Sequence, residues 1–501
     1  MWFESLRRSF QSMHQRKLRG SPRRPSTRLH LEHMEDRTVP TVGFGSALGV
    51  GGAGQELAHD LATDSAGNRY ITGSFASRDL NGDGLDDGVD FDPGPGVFRL
   101  YGNPTSISPF VAKYSPTGGF IWAWGAGPTG GGQGSGQSIA VDGAGNVFAT
   151  GSFGGTMDFD PTATHTSRTA LTGDAFVLKL DSNGKFGWVD QVSGPGSDAG
   201  NGIAVDAAGN VYTTGSMQDT TDLASNMHVL ILKHNNHGTR LWLHQTTGET
   251  NIAQGNGIAL DGSGNVHVTG GFVGRVDFDP GAASTLLSSG GRNNTSMSAF
   301  VLKLSGNGQF VWARNFATTS AFGGSLGNDI AVDAAGNILT TGESHGGTND
   351  FDPGTKTYKL SGHYVSKLNA NGQFVWAKQL GGHGTDLALD SLGNIYLAGY
   401  FQGTADFNPG PAVHSMTSAG GWDGFVVKLD TSGNFVWASQ MGGAGDDRTT
   451  GIAINPDGNV LLTGYFELTA DFDFLNSYGD NRDLLSSGGR HDFFQVLLLQ
   501  S

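Results

Sequence analysis

The sequence contains no cysteine. Disulfides, thiolate metal sites and cysteine nucleophiles are therefore excluded, and the absence suits an exported protein that avoids oxidative mispairing. No apolar run approaches the ~18 residues of a membrane-spanning helix, and hydrophobic residues make up only 37% of the chain. Long helices are disfavoured as well. Glycine accounts for 82 of 501 residues, about twice the usual ~7%, and costs ~1 kcal/mol relative to alanine in a helix interior. What remains is a chain of many short strands joined by tight turns, where glycine supplies positive φ.

Positive charge is scarce beyond the first forty residues. Residues 1–40 carry nine Lys/Arg against four Asp/Glu, a net of +5, whereas the rest carries −21. An acidic body repels phosphate backbones, so nucleic acid is not an expected partner. The basic arm lacks the 7–15-residue apolar core of a secretory signal, and Pro25 follows Arg23-Arg24 where a twin-arginine signal would turn apolar. By composition it is a disordered basic tail.

One turn sequence organises the remainder. Asp-x-x-Gly-Asn ends at Asn68, Asn146, Asn210, Asn265, Asn337 and Asn394, and returns as "NPDGN" at Asn459, at spacings of 55 to 78 residues. Such a period marks a repeat architecture. Each copy reads as four strands: "GIAVD", the turn, "VYTTGS", then "AFVLKLD", a Ser-Asn-Gly turn and "FVWAKQ". The last two alternate with period two, as half-buried strands do. Four antiparallel strands repeated seven times predict an all-β, seven-bladed β-propeller. The final copy ends at a third strand, and "VGFGSALGVGG" at 42–52 aligns with the missing fourth. The N-terminal strand is therefore expected to complete the last blade and close the ring, removing two exposed edges. The blades fall at about 55–125, 136–194, 200–247, 255–317, 327–381, 384–442 and 449–501 plus 41–52. Trp122, Trp188, Trp242, Trp312, Trp376 and Trp437 are read as inter-blade packing residues, and Lys113, Lys179, Lys233, Lys303, Lys367 and Lys428 as solvent-facing.

The repeats "GIAVDAAGNVYTTGS" and "DAFVLKLDSNGKFGW" resemble the bacterial β-propeller repeats named SBBP. That resemblance implies an extracytoplasmic propeller and brings no catalytic motif. "RLHLEHMEDRTVP" resembles the planctomycete extracellular motif through Leu31, Glu32, Glu35, Asp36, Arg37 and Pro40, with Met34 in place of its usual Leu. This implies an extracellular or cell-surface location and makes residues 1–40 an export or targeting arm.

Candidate sites are few. Asp-Phe-Asp-Pro-Gly recurs at Asp90, Asp277 and Asp350, with variants at Asp158, Asp406 and Asp471. A motif in six copies is architectural, with Phe packed inward, Asp capping a turn and Pro-Gly bending the chain. Only the first copy follows an acidic insertion, "DLNGDGLDDGVD". It sets Asp79, Asn81, Asp83, Leu85, Asp87 and Asp90 at positions 1, 3, 5, 7, 9 and 12 of a calcium loop, with Gly84 at position 6 for the sharp turn. His228, His234, His237 and His244 cluster without carboxylate partners at fixed spacing, and are read as incidental. No phosphate loop, nucleophile elbow or zincin motif occurs.

The sequence thus predicts a monomeric, non-enzymatic, extracellular or cell-surface module with calcium as its cofactor. Its ligand would be a glycan or a surface protein, held on the face with long, variable connections. The alternative is a polysaccharide hydrolase or lyase with a single site on that face.

Overall fold

The computed structural model describes residues 42–500, except 53, 77–87, 103–105, 163, 220–226, 280, 282, 292–293, 319–322 and 474–483. These residues fall within one compact unit, Val42–Ser501. The fold is all-β. No α-helix occurs among the described residues, and so no helix there is long and apolar enough to cross a membrane.

The strands follow one another in antiparallel sets of four, some of them joined into a nine-stranded and a six-stranded sheet. The first set is Gln55–Thr63, Arg69–Ala76, Ser108–Tyr114 and Phe120–Gly125. Gly127–Val141, Val147–Asp158, Ser167–Leu180 and Phe186–Val192 follow. The pattern continues to Arg448–Ile454, Val460–Phe466 and Asp492–Gln500, whose fourth member is Val42–Val50. Val42 pairs with Gln500 and Val50 with Phe493, so the chain's first described strand lies beside its last.

The Asp-x-x-Gly-Asn turn is built by its own side chains. Asp206 Oδ1 accepts from the N–H groups of Ala208 and Asn210 at 3.0 and 2.9 Å, and Oδ2 from the Asn210 amide at 2.8 Å. Gly209 takes φ of 76°, which only glycine adopts without strain. Further along each second strand a glycine faces its partner at close range. A Cβ on Gly215 would sit 1.9 Å from Ala199 O, beside a bulge in the first strand.

Core residues lie between consecutive sets. Tyr70, Val111 and Trp124 of the first set pack with Phe153, Phe176 and Leu178 of the second. Ala175 and Val177 point the other way, joining Val211 and Leu230 of the third. The third strands are thus buried on both faces, where alternation had suggested half-burial. One core unites Val50, Leu461 and Phe493 with Ala58, Leu61 and Ile71, bringing the last set against the first.

The recurring lysines differ from expectation. Lys113, Lys303, Lys367 and Lys428 are buried. Each stands cross-strand from its tryptophan, as in Lys113–Trp122 and Lys179–Trp188. Both side chains reach the next set: Lys179 Nζ and Trp188 Nε1 donate to Asn236 O at 3.2 and 3.0 Å. Lys113 and Trp122 do the same to Ser182 O. Lys113 carries its ammonium 4.9 Å above the Tyr70 ring, while Lys303, Lys367 and Lys428 pair with Asp261, Asp333 and Asp390 at 3.1, 2.9 and 3.9 Å.

Candidate functional site

Every set contributes its first strand to one polar cavity of about 190 Å³, lined by residues such as Asp60, Ser138, Gly202, Gly257, Asp329, Asp386 and Thr450. Each first strand carries a bulge one residue before this lining, for example between Gly200 and Gly202 or between Gly384 and Asp386. A bulge re-aims the extra side chain out of the ladder. Here it aims at the neighbouring first strand. Asn201, Asn256 and Asn328 donate to Gly255 O, Gly327 O and Gly384 O at 2.8–2.9 Å. Thr385 donates to Thr449 O at 3.0 Å, and Thr450 to Ala58 O at 2.9 Å. His59 Nδ1 lies 2.7 Å from Gly136 O.

The residue after each bulge is Asp in three sets. Asp60 Oδ2 accepts from Ser138 Oγ at 2.7 Å and Ile139 N at 2.9 Å, while Oδ1 accepts from Leu61 N at 2.6 Å. Asp386 accepts from Leu387 N at 2.8 Å and from Ile452 N in the next set at 2.7 Å. Asp329 accepts from Leu387 N at 3.2 Å. All three are half-buried and line the cavity. Burial raises all three above the usual carboxylate range. For Asp386 the nearby charges of Asp329 and Asp60 add to burial, and its side chain is hydrogen-bonded to Asp329. A proton shared by Asp329 and Asp386 satisfies this geometry, because two adjacent carboxylates do not both ionise in an enclosed site. The cluster ties neighbouring first strands through the bonds to Ile139, Leu387 and Ile452.

Of the sequence-predicted ligands, Asp79, Asn81, Asp83, Leu85 and Asp87 lie outside the described residues. Asp90 ends the strand Val89–Asp90. Its Oδ1 accepts from Asp92 N at 3.1 Å and Phe98 N at 2.9 Å. Asp277, Asp350 and Asp406 hold their loops in the same way. The intervening Phe91, Phe278, Phe351 and Phe407 are fully buried. The histidines of the third repeat go separate ways. His234 Nε2 meets Asp190 at 2.7 Å, His228 meets Asp219 at 3.0 Å, and His244 packs on Trp242.

Asp60, Asp329 and Asp386 were not singled out from the sequence. Their mark was present: these three repeats read Asp-(Leu/Ile)-Ala where the others read Gly-Ile-Ala or Ser-Ile-Ala.

Over 510 residues the chain is 23% identical to an uncharacterized WD repeat-containing protein, L264, of Acanthamoeba polyphaga mimivirus. The match covers 86% of this chain but only 36% of that relative's length. Among solved structures, a protein of unknown function from Dyadobacter fermentans aligns at 11% identity and a TM-score of 0.40, over 91% of this chain and 98% of its own. BamB from Moraxella catarrhalis aligns at 12% identity and 0.37, over 92% and 100%. The family model for the SBBP β-propeller repeat matches residues 187–216, 241–270 and 375–404. Each match begins in the fourth strand of one set and runs through the first two of the next, so at these three places the chain is made of SBBP β-propeller repeats.

Proposed function

We propose that the protein is a closed seven-bladed β-propeller, secreted or held at the cell surface, that acts as a monomeric, non-enzymatic binding and structural module. Each four-stranded set is a blade, and Val42–Val50 completes the last. The reading rests above all on the core shared by Val50, Leu461 and Phe493 with Ala58, Leu61 and Ile71. The Thr450–Ala58 bond supports it. Residues 1–40 serve as the export arm, and a glycan or surface protein binds on the loop-rich face.

The non-catalytic reading is favoured by how the central carboxylates are used. A hydrolase or lyase needs a carboxyl group free to exchange a proton with substrate. Both oxygens of Asp60 and of Asp386 are instead engaged by N–H or hydroxyl donors.

Calcium at Asp79, Asn81, Asp83, Leu85, Asp87 and Asp90 would tie the acidic insertion to the first blade, with Asp90 belonging to both. Titration of the metal-stripped chain with CaCl₂ should raise its melting temperature, and Asp83→Ala should abolish the rise. Equal calcium affinity and melting in the two proteins would remove the calcium loop. A glycan array then separates binding from cleavage.

A further inference from the structure

We propose that Glu343, His363 and His383 form a binding site for a transition-metal ion of the Zn²⁺ class, at the seam between two neighbouring sheets. Glu343 lies on Ile338–Asp350 and His363 on Lys359–Leu368, directly paired across the ladder. His383 opens the first strand of the next set, His383–Leu389. One ligand atom from each of the three lies within 4.8 Å of the others. Metal–ligand bonds of ~2.0–2.1 Å in a tetrahedron put donors about 3.3 Å apart. Small side-chain rotations would therefore close the set.

Two further observations point to an ion. His363 Nδ1 is buried and has no hydrogen-bond partner, a state that costs free energy unless something occupies the lone pair or proton. The His363 and His383 rings are only 3.8 Å apart, centroid to centroid, so they cannot both carry protons comfortably. The site is also braced from outside. His345 Nε2 holds the other Glu343 oxygen at 3.0 Å. Tyr400 stacks on His383 at 5.0 Å, and Trp422 meets its edge at 5.4 Å. Such supports fix ligand orientation.

Two imidazoles and one carboxylate select against calcium and magnesium, which take oxygen ligands. A three-ligand set leaves a fourth position for water or a ligand, and a surface cavity of about 470 Å³ reaches His363. This site shares no residue with the calcium loop, and the two stand or fall separately.

The test is titration of the metal-stripped full chain with ZnCl₂ by calorimetry and with CoCl₂ by visible absorption. One equivalent should bind, with the intense bands of four-coordinate Co²⁺. Affinity should fall tenfold or more in His363→Ala or in the near-isosteric Glu343→Gln, each checked for a native far-UV spectrum, while Asp83→Ala binds as the parent does. Absence of saturable binding, unchanged affinity in both folded variants, or loss in Asp83→Ala instead would overturn the proposal.

Discussion

Neighbouring sheets are joined in two regions by different chemistry. On the third and fourth strands the joint is a lysine–tryptophan pair that donates to a turn carbonyl of the next set, as at Lys179, Trp188 and Asn236. Both donors act at Ser182 and Asn236, whereas the lysine alone reaches Gly306 and Thr431 and the tryptophan alone reaches Ala370. At the central cavity the bulge residues are likewise repeated, but the next position varies among Asp, Ser and Gly. The first joint is made of lysine and indole donors on carbonyl oxygens. The second contains carboxyl groups that burial raises above their ordinary value. The outer joint therefore supplies sheet-to-sheet packing at any ordinary pH, while the inner one makes stability depend on protons.

The largest effect is expected where a set loses a strand. Deleting residues 41–52 removes the partner of Asp492–Gln500 and uncovers the core at Phe493. The truncated protein should unfold or self-associate through its bared edges, as seen by melting and size-exclusion chromatography. A monomer with unchanged melting would break the claim that the last and first sheets depend on this strand. Trp188→Ala comes next. A Cβ on Gly238 would lie 2.7 Å from the Trp188 ring, which shows how closely the indole covers that turn. Its loss should cost about 2–3 kcal/mol in urea unfolding, equally at pH 5 and pH 8. A cost that changes with pH would erase the distinction between the joints.

Much of this was legible from the repeat. The Asp-x-x-Gly-Asn turns, the fourth strand from Val42 and the inward Phe of Asp-Phe-Asp-Pro-Gly all follow from local pattern. The lysines misled because a charged residue in an alternating strand reads as solvent-facing. Nothing local shows that a neighbouring sheet supplies the carbonyl, while the ring beneath the ammonium comes from the adjacent strand of the same sheet. Asp60, Asp329 and Asp386 carry a local mark, but their meeting was illegible for a related reason. They lie far apart in sequence and meet only because every first strand converges on one cavity. Glu343, His363 and His383 depend on register as well. Glu343 faces His363 across a ladder interrupted between Ser344 and Asn349, and His383 belongs to the next sheet.

The smallest effect tests the inner joint by its pH dependence. Asp329 and Asp386 are both raised by burial, and Asp386 further by the Asp329 and Asp60 charges. Asp198, Asp423 and Asp492 are also raised by burial, to about 6, and Asp447 to about 7. A raised group stabilises fully below its unfolded value of ~3.9 and loses that contribution as pH climbs through the folded value. Stability should therefore decline from pH 5 to pH 8. The turn aspartates have the opposite sign. Burial alone would raise Asp206, but the Asn210 amide, with the N–H groups of Asn210 and Ala208, outweighs it and holds the group below the usual range. Its contribution is lost only as pH falls below ~3.9, outside this window. Asp386→Asn replaces one of two proton-sharing carboxyl groups by an amide that can donate to Asp329 permanently. Because its amide nitrogen cannot accept from Leu387 N or Ile452 N, the variant should be less stable than the parent near pH 5 and close that gap toward pH 8. Parallel pH–stability curves for parent and Asp386→Asn would mean that Asp329 and Asp386 share no proton, and that the two joints differ in composition but not in what they respond to.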